Sequence, residues 1–246
     1  MWANAMAWRG VFAIGILIIL TVWLGYEGML GFYIHPRYNV FTLVMAGIGL
    51  LLIGIAVVIR PRVHSHSSHQ KAPHSTLTEW LSFGLIGTLI VIATVLPPTT
   101  LSSYTAENRS LGTVTLAPVS DVVATDSALG GFENLTVRDW ASLLIQTQDP
   151  AFFRGKPFSA LGTISPSDDP DVFLLTRFVV TCCAVDAQPV NVPVYYPEWE
   201  SEFPVDSWVR VRGGFQVIPG LQQPGNLAVI TSEILREEVP RDPYLF

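Results

Sequence analysis

Charge is scarce in this chain. Asp, Glu, Lys and Arg make up 14% of its 246 residues, and half of all residues are hydrophobic. Ordinary soluble domains carry roughly 25% charged residues, so this balance is a membrane signature. Cysteine is scarcer still. Cys182 and Cys183 are the only two, and they are adjacent, which excludes a long-range intrachain disulfide framework. Basic residues are few where a polyanion would need them. Residues 98–246 hold nine Lys/Arg against eighteen acids, a formal −9. Nucleic-acid binding needs clustered Lys/Arg to displace counterions, so no nucleic-acid partner is expected. Signature motifs are missing too. There is no Walker A loop, G-x-S-x-G, H-E-x-x-H or G-x-G-x-x-G, and the chain is not expected to be an enzyme.

What is present begins with three uncharged apolar runs: Gly10–Tyr26, Val40–Ile59 and Trp80–Leu96. Crossing a hydrocarbon core of about 30 Å takes about 20 helical residues, with about 17 as the lower limit. Backbone groups in lipid must bond internally, so each run is expected to be a helix. The first run could instead be a cleaved secretory signal, since Arg9 precedes it. No A-x-A site follows it, however, and Glu27-Gly28-Met29-Leu30 makes a poor cleavage region. With three spans, the N-terminus and the 60–79 loop share one side, and that side has Arg9, Arg60, Arg62 and Lys71. The positive-inside rule then puts the N-terminus inside and the C-terminal domain outside. Intramembrane polar groups are too few for a self-sufficient transporter.

Pro97-Pro98 should end the third helix, and Thr99–Ser110 reads as a polar stalk. Residues 111–150 are expected to hold a short strand, Gly112–Leu116, and one helix. That helix follows Thr136-Val137-Arg138-Asp139, a capping box with Asp in place of Glu. Five later segments alternate as strands do: Pro157–Ser165, Val172–Cys182, Pro189–Tyr196, Ser207–Val217 and Leu227–Leu235. Gly/Pro/Asp clusters separate them. The expected fold is membrane α plus β: three N-terminal transmembrane helices, a stalk and α/β extension at 99–150, and an OB-like small β-barrel at 151–246. A sandwich is the competing architecture.

Chemistry concentrates in three places. On a regular strand, Arg177, Thr181 and Cys183 would share one face and Cys182 the other, so the thiols could not chelate together. Were the strand to end between them, a vicinal disulfide or a shared ligand site would open. Three readings stand: structural cysteines, a metal site with Asp186, or a redox thiol at Cys183 with its pKa lowered by Arg177. The second place is the Ser-rich 60–79 loop, where His64, His66, His69 and His74 fall within eleven residues. It is either a flexible polar loop or a weak divalent-metal tract. The third is Tyr33-Ile34-His35-Pro36-Arg37-Tyr38 between the first two runs. It is either an interfacial turn or a surface on which another membrane subunit docks, with Tyr33, His35, Pro36 and Arg37 as contacts.

The stretch Arg177–Val190, R-F-x-x-x-C-C-x-x-D-A-Q-P-V, is followed by Asp206-Ser207-Trp208-Val209-Arg210-Val211-Arg212-Gly213. With Tyr33–Tyr38 and the His-rich loop, this pattern resembles the bacterial YcgQ-like family of membrane permease subunits. The resemblance implies a bacterial protein, so the membrane of the multi-pass reading is the bacterial inner membrane and the C-terminal β domain is extracytoplasmic. It also implies a larger permease as partner and a connection to zinc homeostasis. Cys182, Cys183 and Asp186 are the motif positions it carries over, with zinc as the candidate ion. A membrane-anchored thiol protein and a protein-binding adaptor are the alternatives.

Overall fold

The computed structural model describes residues 2–58, 84, 87–88, 100–109, 131–147, 149–221 and 226–246. The chain divides into two compact units. Residues 1–30 and 36–99 form one; residues 31–35 and 100–246 form the other.

The first unit contains helices α1 (Trp2–Tyr26) and α2 (Asn39–Val58). They pack as an antiparallel pair. A Cβ on Gly25 would lie 2.7 Å from a Leu43 methyl, and one on Gly49 would lie 2.9 Å from an Ile18 methyl. Small residues allow this close approach, as between helices in lipid. Large apolar side chains remain exposed on both, among them Ile19, Val40 and Leu51. Among the described residues, one helix is long and apolar enough to cross a membrane: Pro36–Val58, 23 residues with mean hydropathy 2.7. The apolar part of α1 is Ala13–Tyr26, roughly 21 Å at 1.5 Å per residue, short of the ~30 Å core. Three full spans were expected. The third run, Trp80–Leu96, lies outside the described residues except for Gly84, Gly87 and Thr88, which are helical.

The second unit is built on a six-stranded mixed sheet. Its strands are β1 (Pro157–Pro166), β2 (Val172–Val179), β3 (Gln188–Tyr195), β4 (Trp208–Val217), β5 (Leu227–Arg236) and β6 (Tyr244–Leu245). Their order is β1-β4-β5-β3-β2-β6, and β1 also pairs with β2. The pairings β1–β2–β3–β5–β4–β1 therefore return to their start. β3 runs parallel to β5, and β6 parallel to β2; the other pairs are antiparallel. β1 and β2 pair only over Thr163–Pro166 and Phe173–Thr176. Before Thr163, β1 is paired on its β4 side alone. A bulge between Arg212 and Gly213 bends β4 against β5. A Cβ on Gly213 would meet the Ile230 carbonyl at 2.1 Å, so only glycine fits there.

Inward side chains of the strands meet two short helices in one core. Helix α4 (Val137–Gln146) supplies Trp140 and Leu143, and α5 (Pro150–Phe153) supplies Phe153, all buried together with Phe158, Phe173 and Phe215. Trp140 stacks within 5.0 Å of Phe215 and 5.6 Å of Phe158. The expected capping box is formed, with Thr136 and Asp139 each accepting the other's backbone N–H. Residues 131–147 thus belong to the β domain's core. The strand expected at Gly112–Leu116 lies outside the described residues.

The segment read as a free stalk is different. Ser103–Asn108 forms helix α3, whose Ser103 N–H reaches the Asp206 carboxylate at 2.6 Å. Leu101 and Ala106 pack against Phe178, Val180, Ala187 and Tyr244. Local polarity suggested solvent, but Leu101 and Ala106 cover this small apolar cluster.

Candidate functional site

The strand carrying the double cysteine ends earlier than the sequence suggests. β2 stops at Val179, three residues short of Cys182. The Val180 N–H still bonds, to the Leu245 carbonyl of β6. The chain then turns, and a single 3-10 turn, Ala184–Asp186, returns it towards β3. With the ladder ended, side-chain alternation no longer separates the thiols. The sulfurs lie 3.6 Å apart, both cysteines are free, and Cys182 is exposed.

Asp186 organises this corner. Its carboxylate accepts the N–H groups of Thr181 at 3.0 Å, Cys182 at 2.7 Å and Cys183 at 3.4 Å. One oxygen takes Thr181 and the other takes both cysteines. Burial alone would push this carboxyl up, but the Cys182 thiol and the three backbone donors outweigh it and hold the carboxyl below its ordinary range. The same carboxylate, and then the Cys183 sulfur, push the Cys182 thiol up to about 12. The two sulfurs and a carboxylate oxygen all lie within 4.8 Å of one another.

Residues distant in sequence fix the corner's backbone. Ile34 bridges antiparallel to Cys183: the His35 N–H donates to the Cys182 carbonyl at 3.0 Å, and the Ala184 N–H to the Tyr33 carbonyl at 2.8 Å. The His35 ring lies 4.6 Å from the Phe246 ring. Arg109 donates to the carbonyls of Ala184 and Ala187. Neither Arg109 nor the Tyr244–Phe246 tail carries a local motif, and the sequence reading missed both.

Arg177, expected beside Cys183, is engaged elsewhere. It is 7% exposed, donates to the Leu161 and Asp242 carbonyls, and lies 5.0 Å above the Trp208 ring. Burial pushes its guanidinium down to about 10, against the opposing charge of Asp242. The charged group at the Cys182 thiol is a carboxylate, which raises a thiol pKa where a guanidinium would lower it.

Of the docking candidates, two belong to this corner and two do not. Tyr33 and His35, considered as contacts for a second subunit, give their backbone to the Cys182–Ala184 segment of the same chain. Pro36 and Arg37 belong to the other unit, in the 3-10 turn Pro36–Tyr38, where Arg37 lies 4.9 Å over the Tyr38 ring. His64, His66, His69 and His74 lie outside the described residues.

Residues 134–246 match the DUF1980 C-terminal domain, and residues 10–112 match the DUF1980 N-terminal domain. The chain carries both DUF1980 domains. No curated protein matches it. All six strands and the Cys182–Asp186 corner fall in the DUF1980 C-terminal match, which begins at the turn before α4. Tyr33–His35 and Arg109, which pin the corner, fall in the DUF1980 N-terminal match.

Proposed function

We propose that this DUF1980 protein is a non-catalytic accessory subunit of a bacterial membrane permease, of the YcgQ-like kind. Its extracytoplasmic β domain, an OB-like barrel, binds a divalent metal such as zinc through Cys182, Cys183 and Asp186. The observation that carries this reading is the 3.6 Å between the two sulfurs. Two thiolates on one tetrahedral zinc, each ~2.3 Å from the ion, lie about 3.8 Å apart, so the pair is nearly pre-set. Asp186 Oδ1 accepts one N–H, from Thr181, and keeps a lone pair for a cation. Such a three-ligand set leaves a fourth position open, as a site that hands its ion onward requires. When zinc is bound it holds both sulfurs as thiolates; Asp186 and the three N–H donors around it fix where those sulfurs sit.

Membrane sidedness supports the multi-pass reading. Residues 31–35 lie between α1 and α2 yet belong with the β domain. If α2 crosses the bilayer, the chain must cross again before residue 100 for Ile34 to meet Cys183. The apolar run Trp80–Leu96 is the segment available for that return. The N-terminus and the His-rich loop then share the cytoplasmic side, and the β domain lies outside with the 27–38 loop.

Titrating the detergent-purified full chain with zinc against a chromophoric chelator tests the site. One zinc per chain is expected, with affinity reduced at least tenfold in Cys182→Ser and in Cys183→Ser. Wild-type affinity in both variants would remove the metal reading. The sulfur distance also suits a second reading, a thiol protein cycling a vicinal disulfide. Two free thiols after exposure to an oxidant such as diamide would eliminate it.

A further inference from the structure

Arg177 is a buried cation whose charge the fold does not neutralise by an ion pair. Its bonds go to two backbone carbonyls, and its Nε has no partner. A buried charge is costly unless it is paired and hydrogen-bonded. Asp242 opposes it through space, but the bond between them is to the Asp242 carbonyl and not to its carboxylate. Beside Arg177 is a cavity of about 250 Å³, at the place where β1 and β2 have stopped pairing. Arg210, Asn134, Thr136 and Ser159 bring polar groups to its wall, and Leu161 and Leu245 bring apolar ones. No acidic residue lines it among the described residues. Arg210 is already neutralised by Glu237. Arg177 is therefore the cation on the cavity wall that no carboxylate bonds among the described residues, with Asp242 acting on it only through space.

We propose that this cavity binds a small, singly charged carboxylate, with the carboxylate beside Arg177 and a short aliphatic body against Leu161 and Leu245. A guanidinium presents donors in a planar fork that matches a carboxylate. The charge match is one to one, so a phosphate dianion is disfavoured. The size is at the lower edge of small-ligand pockets, roughly 300 Å³ upward, which limits the guest to a few carbons. This site is separate from the Cys182–Asp186 corner and does not rest on a metal binding there.

The test is thermal unfolding and calorimetry of the full chain in detergent with EDTA present. Sodium butyrate, sodium phosphate and sodium chloride are compared at equal ionic strength. A saturable rise in Tm with butyrate, absent with chloride and smaller with phosphate, is expected. Ser159→Phe fills the cavity while leaving Arg177 itself in place, and should abolish the butyrate response with the starting Tm near wild type. Arg177→Lys, which lacks the fork, should weaken butyrate binding at least tenfold. Should Arg177→Lys fail to fold, Ser159→Phe decides alone. Equal responses to butyrate and chloride, a phosphate response matching that of butyrate, or full butyrate binding in Ser159→Phe would each overturn the assignment.

Discussion

Asp186 accepts the backbone N–H of Cys182 at 2.7 Å and, with the same oxygen, that of Cys183 at 3.4 Å. One carboxylate thus shapes the turn on which both thiols stand. Asp186→Ala should lower stability by about 1 kcal/mol, the scale of removing a capping acceptor. Asp186→Asn keeps a carbonyl oxygen and should lose less. The carboxyl titrates below its ordinary range in the folded chain. Its contribution is therefore present above the unfolded carboxyl pKa and lost as pH falls through the folded one. Thermal melts of wild type and Asp186→Ala should differ at pH 7 and converge in acid.

The same carboxylate controls thiol reactivity. In a Cys183→Ser background with chelator present, Cys182 should alkylate more slowly at pH 8 than an ordinary thiol, because its pKa lies well above the ordinary value. The thiolate is the nucleophile, so Asp186→Asn should accelerate the reaction about tenfold or more. Folding holds this proton between the ordinary thiol pKa and about 12. Its contribution to stability is complete below that window and disappears as pH rises through it. A rate already at the ordinary thiol value in Cys183→Ser would show that Asp186 does not act on Cys182.

Two adjacent glycines should behave differently. A Cβ at Gly213 would overlap the Ile230 carbonyl, whereas at Gly214 the nearest atom is the Lys156 carbonyl at 3.8 Å. Gly213→Ala must push β5 from β4 at the bulge and should cost roughly 1–3 kcal/mol, the range for overpacking. Gly214→Ala should be near neutral. Denaturant melts of the pair separate a close-approach requirement from a general intolerance of side chains on this strand.

The sheet was legible because its strands alternate and its turns are marked by Gly, Pro and Asp. Four of the five strands expected from the sequence end within one residue of the structure: those at Pro157, Pro189, Ser207 and Leu227. The fifth overran. Val180 and Thr181 are good strand formers, and nothing local indicates that Leu245 takes the Val180 N–H or that Asp186 collects the next three. That overrun separated the thiols on paper. The Thr136–Asp139 capping box was legible for the opposite reason, since its partners are three residues apart. Helix α3, the β6 tail and the Ile34–Cys183 bridge all depend on pairings between distant segments, which periodicity does not encode.

Ile34 and Cys183 face each other as a non-hydrogen-bonded antiparallel pair. The bonds that hold them run between their neighbours, His35 to Cys182 and Ala184 to Tyr33. In such a pair the Cα atoms are about 4.5 Å apart and the side chains point the same way. That spacing lies within the range a disulfide accepts, about 4.4–6.8 Å. Ile34→Cys combined with Cys182→Ser should therefore form a disulfide to Cys183 within the chain under mild oxidation. Reduction-sensitive mobility without dimer on a denaturing gel, and a cross-linked peptide by mass spectrometry, are the expected readouts. Moving the new cysteine one residue, to Tyr33 or His35, points it to the opposite face and should abolish the cross-link. Since this bridge requires the 31–35 segment and the β domain to share one side of the bilayer, the cross-link forming in intact membranes would also support an even number of crossings between residue 35 and residue 100. Oxidation that yields only intermolecular dimers in membranes would contradict both the bridge and that topology.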